Sequence, residues 1–262
     1  MKVPPCVLTI AGSDSCAGAG VQADARTVHA LGGYACSAIT AVTAQNTRGV
    51  TAWRPVPTAL LTAQIAVVLD DLPVAAIKTG LLPGAAAVRV VAAALSAYPK
   101  IPLVVDPVLG STSGTRFLSP AGMRVLLREL LPRATLVTPN WAEAAALTGF
   151  AVRTFAEVET AANALLATGC GAVLLKGGHA PGKACRDYLV TTNGHAQWLE
   201  GTRVATRNVH GTGCVLSAAI ATLLARGSRL EPAVDGARAF LRQSLRRYRH
   251  LRLGHGAGPA FP

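Results

Sequence analysis

Residues 208–220 read NVHGTGCVLSAAI. Two glycines flank Thr212 and lead into Cys214, and an apolar run of small residues follows at once. Glycine lacks a Cβ, so backbone N–H groups beside it can approach a ligand closely. A helix that starts here adds unsatisfied N–H donors and the positive end of its dipole. Together they make an anion site suited to phosphate or to a phosphoryl group in transfer. The bland alternative is a tight turn before a packed helix, with Cys214 as small filler. The spacing matches neither G-x-x-x-x-G-K-[ST] nor G-x-G-x-x-G. A helix N-terminus lowers a thiol's pKa, and a nearby cation lowers it further. Cys214 is therefore read as a thiolate, a base or a polar contact. A covalent nucleophile would need a base beside it, and His210 is close in sequence but need not be close in space.

Other polar residues recur where apolar runs end. VVDP leaves the Asp106 carboxylate at a strand end, and TPNWAEA leaves Glu143 in the first turn of a helix. Both suit Mg²⁺, which takes oxygen ligands and keeps several waters. Taken singly, Glu143 also reads as plain charge complementarity at a helix start. Lys176 pairs with phosphates or is an ordinary surface lysine. AGSDSCAGAGVQAD, residues 11–24, reads as a long Gly- and Ser-rich connection that lines and closes a pocket. An ordinary strand-to-helix loop is the alternative, although most are shorter.

These residues need elements to position them. Strands are expected over 6–12, 35–46, 73–80, 101–107, 134–140 and 171–178, and a hairpin over 186–200 turning at Asn193-Gly194. Helices are expected within 18–33, 57–72, 83–98, 119–130, 141–149 and 154–169, after residue 211, and at the basic end of the chain. In the first helix Val21, Ala25, Val28 and Leu31 share a face. Strands alternating with helices predict a doubly wound, mostly parallel α/β sheet flanked by helices, with a small hairpin. No fixed-period repeat or interdomain linker interrupts it, so residues 1–262 are read as one domain. In such sheets ligands bind beyond the carboxyl ends of the strands. Gly12–Gly20, Gln45-Asn46, Lys78–Gly80, Asp106, Asn140 with Glu143, Lys176–His179 and Gly211–Cys214 all fall there.

Composition bounds the function. The 262 residues are 51% hydrophobic but only 5% aromatic, so Ala, Val and Leu must fill the core. No apolar run approaches the roughly 18–20 residues of a membrane span. Pro4 and Pro5 spoil the N-terminus as a signal peptide, which leaves the cytoplasm as the expected compartment. Six cysteines form no C-x-x-C pair and none has zinc spacing to a histidine, so free thiols are expected. The formal charge of +12 draws nucleic acid or phosphorylated metabolites. Its densest cluster is at residues 237–256, where Arg238, Arg242, Arg246 and Arg249 recur at helical spacing. This reads as one solvated helix face and not as a nucleic-acid site.

Assembled in order, LTIAGSDSCAGAGVQAD, SAITAVTAQNTRGV, IKTGLL, VVDPV, LVTPNWAEAAAL, VLLKGGH and NVHGTGCVLSAAIA resemble the hydroxymethylpyrimidine/phosphomethylpyrimidine kinases of thiamine biosynthesis. These belong to the ribokinase-like superfamily. Any one stretch is a weak signal, but seven in family order from residue 8 to about residue 221 are specific, and GHGAGP at 254–259 resembles the family's terminal segment. The resemblance implies a ribokinase-like fold and ATP- and Mg²⁺-dependent phosphorylation of a pyrimidine, first on its hydroxymethyl group and then on the resulting phosphate. It implies that Gln45 binds the aminopyrimidine and that Gly12, Ala19, Leu81 and Val108 wall its pocket. Asp106 and Glu143 would hold Mg²⁺, and Asn140 and Lys176 the nucleotide phosphates. Gly211, Thr212, Gly213 and the Cys214 N–H would form the anion hole, with Cys214 where most of the superfamily has an aspartate base. It implies a homodimer.

The chain departs from that pattern at several places. The family's S-G-G-G-A-G loop reads Ser15-Cys16-Ala17-Gly18-Ala19-Gly20, which predicts stiffer closure. Leu81 and Leu109 replace methionines, Val209 replaces threonine, and the His-rich end is shortened. Pyridoxal kinase of the same superfamily is the alternative enzyme. A basic nucleic-acid-binding protein on an inactive kinase fold is the alternative of another class.

Overall fold

The computed structural model describes residues 3–111, 114–178 and 184–262. Among these, nine strands form one sheet in the order β3-β2-β1-β4-β5-β6-β7-β8-β9. The strands are β1 (Cys6–Asp14), β2 (Tyr34–Asn46), β3 (Gly49–Pro55), β4 (Val74–Thr79), β5 (Leu103–Val105), β6 (Leu136–Val137), β7 (Ala172–Leu175), β8 (Asp187–Thr191) and β9 (Ala196–Leu199). From β2 through β7 every neighbouring pair is parallel. β3 pairs antiparallel with β2 at one edge, and the β8–β9 hairpin closes the other. The chain runs outward from β1 to β2 and β3, then returns to β4 on the other side of β1. That reversal opens the crevice in which a doubly wound sheet binds ligands.

The helices are α1 (Gly20–Ala30), α2 (Thr58–Asp71), α3 (Gly84–Leu95), α4 (Pro120–Val125), α5 (Trp141–Thr148), α6 (Phe155–Leu166), α7 (Thr212–Ala225) and α8 (Leu230–Arg247). They cover both faces of the sheet, with one apolar core on each side. Alternate residues of the central strands feed the two cores, as Leu8 and Ile10 do on one side and Val7 on the other. α7 is buried nearly all round, through Val215, Leu216, Ala218, Ala219, Ile220 and Ala221. Its alanines let it lie close to the sheet under α1 and α8. Among the described residues no helix is long and apolar enough to cross a membrane.

Four expectations need correction. β1 does not stop at Gly12: after a bulge, Ser13 and Asp14 pair with Val42 and Thr43. Only Ser15–Ala19 remain as the turn into α1, so the long connection is short. The buried face of α1 is Val21, Ala23, Asp24, Thr27 and Val28, while Ala25 and Leu31 are only partly buried. The helix expected over 119–130 ends as α after Val125, and Leu126–Leu130 widens into a π turn before Pro132. β3 was not foreseen, because GVTAWRP is a half-exposed edge strand that carries no clean apolar alternation.

Nor is Arg238 part of a solvated face. Its Nε lies 2.7 Å from Asp187 Oδ2 in a buried pair, and its Nη2 donates to the Leu199 carbonyl at 2.6 Å. Asp187 Oδ1 in turn accepts from the Gly177 N–H at 2.8 Å. One arginine thus ties α8 to both strands of the edge hairpin. Removing one partner of a buried pair leaves the other uncompensated, so Arg238→Ala should lose about 3–5 kcal/mol in urea unfolding. Exposed Arg246→Ala should lose under about 1 kcal/mol, the value of a cation at a helix end. Equal losses would show that Arg238 is not a tie.

Candidate active site

The parallel strands deliver their chemistry just past their carboxyl ends. Asp106 follows β5, and its N–H is held by the Thr79 carbonyl at 3.0 Å. Lys176 follows β7, with its N–H on the Pro139 carbonyl at 2.8 Å. Lys176 Nζ lies 2.8 Å from Asp106 Oδ1 and 3.9 Å from Glu143 Oε2. Thr138 Oγ1 donates to Asp106 Oδ1 at 3.3 Å, and Ser217 Oγ to Oδ2 at 3.4 Å. Burial disfavours the Asp106 charge, but Lys176 and Lys78 outweigh it and hold the carboxyl below its usual range. Burial likewise opposes charge on Lys176, and Asp106 and Glu143 overcome it, so the amine stays protonated.

Glu143 is fixed by a capping box. The Asn140 N–H donates to Glu143 Oε2 at 2.7 Å, and the Glu143 N–H donates to Asn140 Oδ1 at 2.9 Å. Burial pushes its carboxyl up to about 7, with Lys176 opposing and Asp106 adding to the rise. Among the described residues, Asp106 Oδ2 has a long contact with Ser217. Two carboxylates with oxygen donors only, one underused, fit a hard cation such as Mg²⁺.

The anion loop faces this pair. A Cβ on Gly213 would start 3.2 Å from Lys176 Nζ and 3.4 Å from Asp106 Oδ2. Gly211 caps α7 at φ +77°, and a side chain there would strike the Gly18 carbonyl. No side chain caps the helix; the Thr212 N–H turns back to the Val209 carbonyl at 3.3 Å, which leaves the N–H groups of Gly213 and Cys214 for a ligand. The turn after β1 therefore packs directly on the loop before α7.

Cys214 does not behave as expected. Burial pushes its thiol up to about 11; Lys78 works against this, while Asp24 and Asp106 add to it. Desolvation thus outweighs the Lys78 cation, and the thiol is largely protonated at neutral pH. His210 turns away from it. The His210 Nε2 lies 2.9 Å from Asp14 Oδ2 and 3.1 Å from the Gln45 amide. Gln45 is further held by Ser15, whose Oγ donates to the Gln45 carbonyl at 2.7 Å and accepts from its N–H at 2.8 Å. The Ala19 N–H donates to Asp14 Oδ2 at 2.9 Å. Leu81 lies 3.5 Å from where a Gly12 Cβ would sit, and it shares an apolar cluster with Val108, Phe117 and Trp53. A wider cleft of about 580 Å³, lined in part by Arg207, Asn208, Arg249, Arg252 and Gly256, opens beside the loop.

The expected residues thus fall into two sets, Asp106, Glu143, Asn140, Lys176 and Gly213 in one, and Gln45, Ala19, Gly12, Leu81 and Val108 in the other. Thr212 begins α7. His179 lies outside the described residues. The sequence reading missed the fully buried pair of Lys78 and Asp24, at 2.8 Å, and the carboxylate Asp14. A lysine inside the apolar strand VAAIKT, and an aspartate between Val21 and Val28 on a helix, were the available signals.

A family model for phosphomethylpyrimidine kinase matches residues 14–261. The chain belongs to that family. It is 46% identical over 253 residues, 96% of this chain and 94% of the relative, to the hydroxymethylpyrimidine/phosphomethylpyrimidine kinase of Rhizobium meliloti. Among solved structures, the phosphomethylpyrimidine kinase of Clostridium difficile is 36% identical with a TM-score of 0.80, covering 93% of this chain and all of that one. The ADP complex of Bacillus subtilis pyridoxal kinase is 31% identical with a TM-score of 0.90, covering 98% and 96%. The ribokinase-like fold expected of this phosphomethylpyrimidine kinase family member is therefore the one it has.

The raised thiol gives a direct test. Alkylation of Cys214 by iodoacetamide, followed by mass spectrometry, should accelerate steadily up to about pH 11. A rate that levels off below pH 8 would mean that the helix terminus, not burial, governs the thiol.

Proposed function

We propose that this protein is an ATP-dependent kinase of thiamine biosynthesis. It phosphorylates 4-amino-5-hydroxymethyl-2-methylpyrimidine and then converts the monophosphate to the pyrophosphate. The observation that carries the reading is the uncapped start of α7, with Gly213 against Lys176 and Asp106, next to an apolar wall that ends at Gln45. The greater identity to hydroxymethylpyrimidine/phosphomethylpyrimidine kinases than to pyridoxal kinase supports the pyrimidine.

In this reading Gly12, Ala19, Leu81 and Val108 sandwich the pyrimidine, and Gln45, steadied by Ser15, hydrogen-bonds its edge. The nucleotide phosphates lie on Asn140 and Lys176, whose amine is already protonated. Asp106 and Glu143 would hold Mg²⁺, which neutralises phosphate charge. The acceptor oxygen forms a bond to the γ-phosphorus as the β–γ bridge breaks and ADP leaves. Negative charge on the transferring group is taken by the N–H groups of Gly213 and Cys214, with Gly211 and Thr212 shaping the turn. These donors are preorganised, so they need no rearrangement as charge develops.

The two steps ask different things of Cys214. A hydroxyl must lose its proton, and a protonated thiol accepts none, so the first step runs on the small thiolate fraction. An anionic phosphate acceptor needs no base. A homodimer in the cytoplasm belongs to the same reading.

A substrate panel with ATP and Mg²⁺ tests the assignment. Turnover is expected on hydroxymethylpyrimidine and its phosphate, and turnover on pyridoxal alone would replace the pyrimidine reading with pyridoxal kinase. Tight, salt-sensitive DNA binding without turnover would favour the nucleic-acid reading instead. The ratio of first-step to second-step rate should climb from pH 7 to pH 10 in the wild type and stay flat in Cys214→Ala. A flat ratio in both would remove Cys214 as proton acceptor. Gly213→Val should cut both steps by roughly 10²–10³, the cost of losing an oxyanion donor.

A further inference from the structure

We propose that Asp14, Cys16 and His210 form a binding site for a soft divalent cation of the Zn²⁺ type, distinct from the Asp106–Glu143 pair. An ion held there blocks the pyrimidine side of the pocket. The three residues come from the end of β1, the turn that follows it, and the residue before Gly211. One ligand atom from each gathers within 4.8 Å of the others. Asp14 Oδ2 is 2.9 Å from His210 Nε2 and 3.6 Å from Cys16 Sγ. Tetrahedral zinc bonds place nitrogen, oxygen and sulfur ligands about 3.3–3.8 Å apart, so little movement is needed.

The site is built before any ion arrives. Asp14 is buried, and its carboxylate is aimed by the N–H groups of Cys16 at 3.0 Å and Ala19 at 2.9 Å. The backbone of His210 is pinned on both sides, its N–H to the Gly258 carbonyl at 3.0 Å and its carbonyl to the Ala260 N–H at 2.8 Å. Its ring packs on Gly18, where even a Cβ would collide. Hydrogen bonds and packing of this kind fix ligand direction. Imidazole and thiol hydrogens now point at one carboxylate oxygen, and a dication takes their place. The thiol releases its proton to solvent as it ligates, and His210 binds through an unprotonated Nε2.

Selectivity follows from donor type. Thiolate and imidazole favour zinc-like ions, while the all-oxygen pair of Asp106 and Glu143 favours Mg²⁺. The consequence for the pocket comes through Gln45. Its amide is 3.1 Å from His210 Nε2, the atom that would bind the ion, so the amide must shift when metal binds. Binding of the ion does not depend on the proposed function; only the competition with pyrimidine does.

Co²⁺ is the probe. Added to the full chain in saturating Mg²⁺, one equivalent should produce the near-ultraviolet charge-transfer band of a thiolate–cobalt bond, and Zn²⁺ should displace it. The band should vanish in Cys16→Ala and persist in Cys214→Ala and Cys185→Ala. Circular dichroism of Cys16→Ala, whose site is a surface turn, checks that the variant is folded. In steady-state assays Zn²⁺ should raise KM for the pyrimidine at least about tenfold in the wild type and leave Cys16→Ala unaffected, the scale of losing a metal-site group. No band, or a band that survives Cys16→Ala, overturns the site. A band without Cys16-dependent inhibition overturns the block while the site stands.

Discussion

A charge inside a protein is tolerable only when it is paired, and the candidate site is organised around one such pair, Lys176 with Asp106. The pair spans the ends of β5 and β7, so it exists only if those strands are in register with β6 between them. Ser217 of α7 and Glu143 of α5 then have somewhere to point. Low surrounding polarity strengthens every interaction at this spot. A phosphate that enters here meets a lysine already charged and already positioned. The buried Lys78–Asp24 pair does related work one layer deeper, joining β4 to α1 beneath Cys214.

The second constraint is closeness. Gly211 and Gly18 are in backbone contact, and the His210 ring fills the space beside Gly18. The turn after β1 and the loop before α7 are therefore one packed unit. Ala17 within that turn sits at φ +59°, a left-handed conformation that costs a residue with a Cβ roughly 1–2 kcal/mol. The turn persists despite this cost, with Asp14 and Gln45 beside the His210 ring and the Cys16 N–H on Asp14.

Much of this was legible in the chain. Apolar runs separated by Ala-rich amphipathic stretches announced a parallel sheet with helices on both faces, and glycines and carboxylates at the run ends marked its working edge. The hairpin at Asn193-Gly194 was equally plain. The failures share a cause. β3 is an edge strand with both faces partly wet, so its pattern is weak. The extra two residues of β1 depend on β2 lying alongside. Arg238 looked solvated because its spacing matched other arginines, and only the hairpin packed on α8 supplies Asp187.

The donor types and helix starts on which the proposed function rests are written in the sequence, because residue type and local spacing determine them. So is the order of strands and helices that brings them to one edge. What they do once assembled is decided by the fold. Cys214 sits at a helix start in sequence, which argues for a thiolate, yet packing in the fold pushes its thiol up instead. His210 neighbours Cys214 in sequence, yet it serves Asp14 and Gln45. Protonation and partnership depend on burial and on distances between residues far apart in the chain, and those exist only after the chain has packed.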